Sequence, residues 1–373
     1  MAKPPFGRRF NQRMTKAARI GHSDVRWGAW MWGWRPALTA GFPIGLGTYR
    51  FVLAALVLDS HAIGPLMGHT SPLNPGVWAV AGFFVLSGFV MRRHAETLSP
   101  GQFYLDRFLR IYPQFLLFFS LSFVAVYGVL RSPVNNLGST PHWVALIANL
   151  LVFPIAFNNS RALGATGAWV SSGALMPQAW SLGVEASYYV LLPLIARLSR
   201  LRNALFWISL GIFIMSALNF VPRSAGYVYL PGTLWMFLLG WRLHDLNART
   251  IRWLGLVGLT IVALMLVPSL QQSPTIEVAS GALVAAWVIM RLAGAPTNRT
   301  DTFLGAMSYS LFLCHTIPLF LWGDWPMRYP VVFAVSLVLA WIGAHMEMRI
   351  ADFRRLIRAR RTLAPSRAAA APA

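Results

Sequence analysis

Acidic side chains are scarce in this sequence: 11 Asp and Glu stand against 32 Lys and Arg in 373 residues, and charged residues of both signs make up only 12%. Soluble domains carry about 25% charged residues, so this scarcity excludes an ordinary water-soluble globule. Cysteine is nearly absent. The single Cys314 rules out an intrachain disulfide and any CxxC-type metal site. A cleavable signal peptide is not expected, because no short apolar core follows the basic start within the usual 15–30 residues or so. No internal repeat stands out of the kind that builds transporters from inverted halves.

Apolar sequence is what the chain has in abundance, 56% of all residues. The formal net charge of +21 sits in the tails and in short loops between apolar segments. That is the positive-inside pattern of a multi-pass membrane protein rather than a nucleic-acid-binding face. A span needs about 20 apolar residues. Candidates lie at 46–67, 76–94, 109–131, 179–198, 203–221, 226–243, 253–270, 275–293, 303–323 and 329–348. Residues 1–45 are basic and rich in Trp, Gly and Pro. Trp27, Trp30, Trp32 and Trp34 suit an interfacial belt, and the basic residues suit a cytoplasmic anchor or anionic lipid. An eleventh apolar stretch, 142–157, is short and ends in Phe153-Pro154. If it does not cross, the basic loops around Arg92–Arg110, Arg197–Arg202, Arg242–Arg252 and Arg291–Arg299 all fall in the cytoplasm with the C-terminal tail. The expected fold is therefore all-α, a bundle of about ten transmembrane helices with both termini cytoplasmic. Within it, 142–157 is a re-entrant or surface helix of an outer segment, 132–178. A single membrane domain covers 46–350, and 351–373 is a basic, Ala/Pro-rich tail expected to fray.

Two ionisable groups mark the first span. Arg50 opens it and His61 follows eleven residues later. In an α-helix those steps rise roughly 16 Å and turn about 1100°, about 20° past three full turns, so both side chains share one face. Ionisable groups inside a span are costly and mark function by default. The spacing alone is equally compatible with a topology anchor at Arg50 and a helix-contact histidine at His61. At 1.5 Å per residue, His61 lies roughly 16 Å and His315 roughly 18 Å from the cytoplasmic side, with Ser87 about 15 Å and Glu185 about 9 Å below the outer surface. In a hydrocarbon core about 30 Å thick, the four converge on the middle third. Asp59, about 200° round the helix from His61, faces elsewhere. Arg50, Arg92, Arg93, Arg107 and Arg110 gather at the cytoplasmic ends of the first three spans. There the guanidinium fork suits the phosphates of a cytosolic cosubstrate, although anchoring accounts for Arg92 and Arg93 as well. The histidines lack a ligand spacing such as an i, i+4 pair with a carboxylate, so no metal is expected.

Five motifs in order between residues 46 and 350 carry a resemblance. They are Arg50-x10-His61, the Phe-Phe-Val-Leu-Ser-Gly-Phe run at 83–89, Arg107-x-x-Arg110-Ile-Tyr-Pro, Trp180-Ser-Leu-x-x-Glu185 and Ser308-Tyr-Ser-Leu-Phe-Leu-Cys-His315. Together they resemble the membrane-bound acyltransferase-3 family. The resemblance implies a multi-pass O-acyltransferase of the bacterial inner membrane, commonly an O-acetyltransferase, that modifies sugars of surface or secreted glycans with acyl groups from cytosolic acyl-CoA. It implies that Arg50 and His61 are essential, and it maps the family's Arg-x-x-Arg and Trp-Ser-Leu-x-x-Glu motifs onto Arg107, Arg110 and Glu185. Two positions depart from the family pattern. Ala81 stands where an aspartate is usual, and Glu347-Met348-Arg349 lacks the proline of a Glu-x-Pro motif.

On this reading Arg50, Arg107 and Arg110 hold the phosphates of acyl-CoA, typically acetyl-CoA, and His61 is the general base toward the acceptor hydroxyl or toward a relayed acyl group. Glu185 orients the imidazole or the acceptor. Ser87 and His315 line the path as oxyanion donors. Acyl-CoA is a cosubstrate and no cofactor is held permanently. The acceptor is a glycan or lipid-linked sugar, membrane lipid surrounds the chain, nucleic acid is not a partner, and any periplasmic partner is a separate protein. A transporter or flippase for a lipid-linked glycan is the competing expectation, its intramembrane ionisable groups marking a pathway.

Overall fold

The computed structural model describes residues 44–62, 75–129, 150–152, 175–245, 247–265, 275–295, 297–322 and 328–368. The tryptophan belt and nearly all of 132–174, including most of the 142–157 stretch, lie outside the described residues. One compact unit begins at Ile44.

Helix α1 is Leu46–Ala62, α2 is Pro75–Thr97 and α3 is Pro100–Phe123, which runs on through a π-helical turn at Val124–Val129. A 3-10 turn at Pro177–Ala179 leads into α4, Trp180–Arg197, followed by α5 (Ser199–Ala217), α6 (Arg223–Tyr227) and α7 (Leu230–Arg242). Then come α8 (Ala248–Met265), α9 (Thr275–Leu292), α10 (Arg299–Cys314), α11 (Thr316–Trp322) and α12 (Arg328–Ala368). No strand occurs among the described residues. The all-α expectation holds. Against the ten spans expected, among the described residues five helices are long and apolar enough to cross a membrane, or six when α10 and α11, bent by 40°, are taken as one broken span.

Three boundaries depart from the hydropathy reading for identifiable reasons. The third span begins at Pro100 rather than near 109, because Ser99 and Gln102 form a capping box and Pro100 takes the first helical position. Arg107 thus joins Arg110 inside α3, one turn apart, instead of lying ahead of the span. The 226–243 segment is split between α6 and α7. Pro231, in the first turn of α7, has no N–H for the Tyr227 carbonyl and so cannot continue α6; the chain passes through an extended Tyr229 (φ −101°, ψ 144°) before α7 begins. The last helix does not stop near 350; it continues through the basic tail to Ala368, where Ala, Leu and Arg are strong helix formers.

Packing relies on close backbone approach. A Cβ added to Gly88 of α2 would sit 1.8 Å from the Phe237 carbonyl oxygen, and one on Gly240 of α7 would sit 1.8 Å from that of Val85. Small residues at such a crossing let two helices touch along their backbones, which fixes Ser87 beside Gly88. Around this seam Tyr188 stacks on Phe237 at 4.3 Å and Trp235 and Trp241 are fully buried. The outward side chains of α4, α5, α8, α9 and α12, among them Val190, Ile208, Leu259, Trp287 and Val338, are apolar and exposed, as a lipid-facing surface requires. Substituting Gly88→Ala is expected to cost about 1–3 kcal/mol through overpacking. Thermal unfolding in detergent will read this as a melting temperature lowered by several degrees.

Candidate active site

The site begins with a buried carboxylate. Asp301, 3% exposed, lies in the first turn of α10, where Asn298 caps its backbone N–H at 2.6 Å. Its carboxylate accepts from the backbone N–H groups of Gly45 (3.0 Å), Gly47 (3.3 Å) and Thr48 (2.8 Å), and from the Thr48 hydroxyl (2.9 Å). One charge therefore caps α1 from the first turn of α10, and the two helices start side by side and run parallel. Glycine is needed at 47 because a Cβ there would sit 2.0 Å from the Asp301 carbonyl oxygen. From Gly47 to His61, and from Asp301 to His315, is the same fourteen residues. The two imidazoles arrive at the same height.

They meet. His61 Nδ1 lies 2.8 Å from His315 Nε2, and the ring planes are within 24° of each other with centroids 5.0 Å apart, so the imidazoles meet edge to edge. His315 is fully buried and its Nδ1 lies 3.1 Å from the Leu311 carbonyl oxygen. Local sequence holds it there. Pro318 has no N–H for the Cys314 carbonyl, and its ring crowds that turn, so α10 ends at Cys314 and the chain bends by 40° into α11. At the bend the Leu313 carbonyl accepts from Gln178 Nε2 at 2.7 Å. Beside this bend, the buried Gln178 Oε1 and Thr316 Oγ1 have no hydrogen-bond partner among the described residues.

Toward the start of α1 the chemistry is cationic. Arg50, Arg107 and Arg354 lie close enough to Arg110 to repel it. Arg110 pairs with Glu347, Arg107 with Asp106, and Arg354 reaches both carboxylates, at 3.5 Å and 3.8 Å. Among the described residues, three guanidiniums thus share two carboxylates, with Arg50 beside them. Arg50 joins no ion pair among the described residues, and the Nε atoms of Arg50 and Arg107 are buried without a hydrogen-bond partner. Surplus positive charge in an apolar bundle is costly unless an anion completes it, and guanidinium forks suit phosphate oxygens. Gln114, fully buried, braces the cluster by donating to Glu347 (3.2 Å) and to the Gly343 carbonyl (3.0 Å) while accepting from Ser310 (3.3 Å).

Glu185, on α4, sits on the arginine side. It accepts from Ser87 at 2.5 Å and from the Tyr189 hydroxyl. The Tyr189 ring lies 5.8 Å from the Arg107 guanidinium, and the Tyr309 ring lies 5.8 Å from that of Arg110. The described contacts thus link Glu185 to the arginine end, whereas the partner of His61 is His315. Asp59 accepts from Tyr329 at 3.0 Å. Arg92 turns to Glu96 and Asp245 (2.9 and 2.7 Å) at the helix end, apart from the cluster.

Sequence reasoning passed over Asp301, Asp106, Glu347 and Arg354 as site residues. Signals existed for some of the neighbours. Tyr189 follows Glu185 by four residues and Gln114 follows Arg110 by four, the spacing that puts polar side chains on one helix face.

A cationic cluster and an imidazole pair at opposite ends of one apolar helix suit group transfer inside a membrane. Residues 44–345 match the model of the acyltransferase-3 family, described as an acyltransferase domain. The chain belongs to that family. It is similar to a protein of Aquifex aeolicus (30% identity over 151 residues, 38% of this chain and 68% of that one) and to one of Haemophilus influenzae (33% over 157, 38% and 60%), both described as uncharacterised. It is also similar to Acyltransferase MdmB of Streptomyces mycarofaciens, at 30% over 157 residues, 40% of this chain and 36% of that protein. The match thus spans about two thirds of the first relative and less of the other two. No solved structure matches.

Asp301→Asn keeps one acceptor oxygen and removes the charge. Hydrogen bonds to charged groups contribute about 1.5–3 kcal/mol, so this variant is expected to melt several degrees below wild type in detergent, while Asn298→Asp, which retains a cap, melts close to it.

Proposed function

We propose that this protein is an O-acyltransferase that takes an acyl group, acetyl in the simplest case, from cytosolic acyl-CoA and passes it to a hydroxyl of a cell-surface or secreted glycan. The observation that carries this reading is the sharing of α1 by Arg50, at the surplus positive charge, and His61, in the imidazole pair. Roughly 16 Å of helix separate them, a length that an extended pantetheine arm covers. The positive-inside charge distribution supports ten crossings with both termini cytoplasmic in a bacterial inner membrane. The arginine end then opens to the cytosol, where acyl-CoA is found, and the acceptor enters from the other side.

In this scheme the arginines hold the CoA phosphates and His61 takes the acceptor proton as its oxygen attacks the thioester carbonyl. The C–S bond then breaks, and the thiolate recovers the proton from the imidazolium. Thr316 Oγ1, a buried hydroxyl without a partner among the described residues, can donate to the oxyanion, and Gln178 Oε1, likewise unpartnered, can accept from an acceptor hydroxyl. Glu185, with Ser87 and Tyr189, lines the passage on the arginine side.

The test supplies radiolabelled acetyl-CoA to purified protein in nanodiscs, with membranes of a strain deleted for this gene as the acceptor source. Free thiol and labelled glycan are expected together, and His61→Ala lowers both by at least about 100-fold. Near-wild-type transfer by His61→Ala would overturn the base assignment, and wild-type protein that releases no thiol would point to a carrier instead. Arg354→Ala removes one charge-assisted contact and is expected to raise KM for acetyl-CoA by roughly tenfold or more, with kcat changed only a few-fold, in steady-state assays.

A further inference from the structure

We propose that His315 is a positioning residue that fixes the tautomer of His61, so that the two imidazoles act as one relay ending on a backbone carbonyl. The inference rests on the acyl-transfer reading for its catalytic meaning, but its geometric part stands alone. The chain of reasoning starts at Leu311, whose carbonyl oxygen can only accept. His315 Nδ1, 3.1 Å away, must therefore carry a hydrogen. A neutral His315 then has its lone pair on Nε2, the atom 2.8 Å from His61 Nδ1. That lone pair obliges His61 to carry its hydrogen on Nδ1, which places the basic lone pair of His61 on Nε2.

Free imidazole side chains in water favour the opposite tautomer, so the pairing selects a minority form. It also limits charge. Two protonated rings would point N–H at N–H across 2.8 Å, so the pair holds at most one extra proton. When His61 Nε2 takes the acceptor proton, the imidazolium keeps donating through Nδ1 to His315 Nε2. The positive charge is thereby spread toward Leu311 without a carboxylate being buried at mid-membrane. The near-coplanar rings, the complete burial of His315 and the bend after Cys314 leave the second imidazole little freedom to leave this arrangement. A carboxylate that orients a catalytic histidine does the same work in water-soluble hydrolases; here a neutral ring does it.

The experiment combines nitrogen NMR of histidine-labelled protein in nanodiscs with acetyl-CoA thiol-release kinetics on His315→Leu and His315→Gln. The His61 signals are identified by their loss in His61→Gln. Wild-type His61 is expected as the Nδ1–H tautomer and to revert to Nε2–H in His315→Leu. In that variant kcat is expected to fall by roughly 10²–10⁴-fold, the range for losing a positioned acid–base group, with KM for acetyl-CoA within about twofold. His315→Gln places an amide oxygen near the former Nε2 and is expected to recover at least about tenfold of the lost kcat. An Nε2–H tautomer in wild type overturns the proposal, as does a folded His315→Leu with unchanged kcat, or equal losses in Leu and Gln variants. If His315→Leu does not fold, the wild-type tautomer and the Gln variant decide. Absence of thiol release by wild type would sink the acyltransferase reading while leaving the tautomer result intact.

Discussion

The Asp301 carboxylate accepts from Gly45, Gly47 and Thr48 while Asn298 caps its own backbone N–H, so a single buried charge sits at the beginning of two helices. Helix N-termini carry partial positive charge and unsatisfied N–H groups, and one anion serves both. Because α1 and α10 leave this clamp in parallel, depth along one becomes depth along the other. The meeting of His61 and His315 follows from equal counts measured from a common origin. Glycine at 45 and 47 is part of the same device, since a Cβ at either position would strike Asp301.

Charge is sorted along the bundle. At the clamped end, among the described residues, the four arginines outnumber the carboxylates of Asp106, Glu347 and Asp301 itself, with Glu347 and Arg354 supplied by α12 and Asp106, Arg107 and Arg110 by α3. At the far end two imidazoles face each other with a backbone carbonyl behind them. Glu185 is engaged by the hydroxyls of Ser87 and Tyr189. A low-dielectric interior makes each unpaired charge expensive, so this separation of roles is itself informative. Membership of the acyltransferase-3 family gives it a chemical setting.

Much of this was legible in the sequence because helical period and apolar length act locally. The common face of Arg50 and His61 is a matter of 100° per residue, and the matched depth of His315 follows once loop charges give each span a direction. The start of α3 was written in Ser99-Pro100-Gly101-Gln102, but hydropathy averaging hides a cap. Pro231 and Pro318 likewise break helices inside apolar runs that look continuous. What stayed hidden are pairings across the bundle. Nothing near Asp301 in sequence announces that it caps a helix more than 250 residues earlier, and Glu347 and Arg354 gain meaning only when α12 lies against α3.

The carboxylate of Glu347 has a further consequence. Because it already occupies the forks of Arg110 and Arg354, these cations are never bare, and an incoming anion must trade places with a tethered one. Such counter-ion exchange spares both partners much of the dehydration that two isolated ions would suffer. It also makes occupancy mechanical: displacing the acid loosens the tie between α3 and α12, so a filled cluster and an empty one hold those two helices together with different strength.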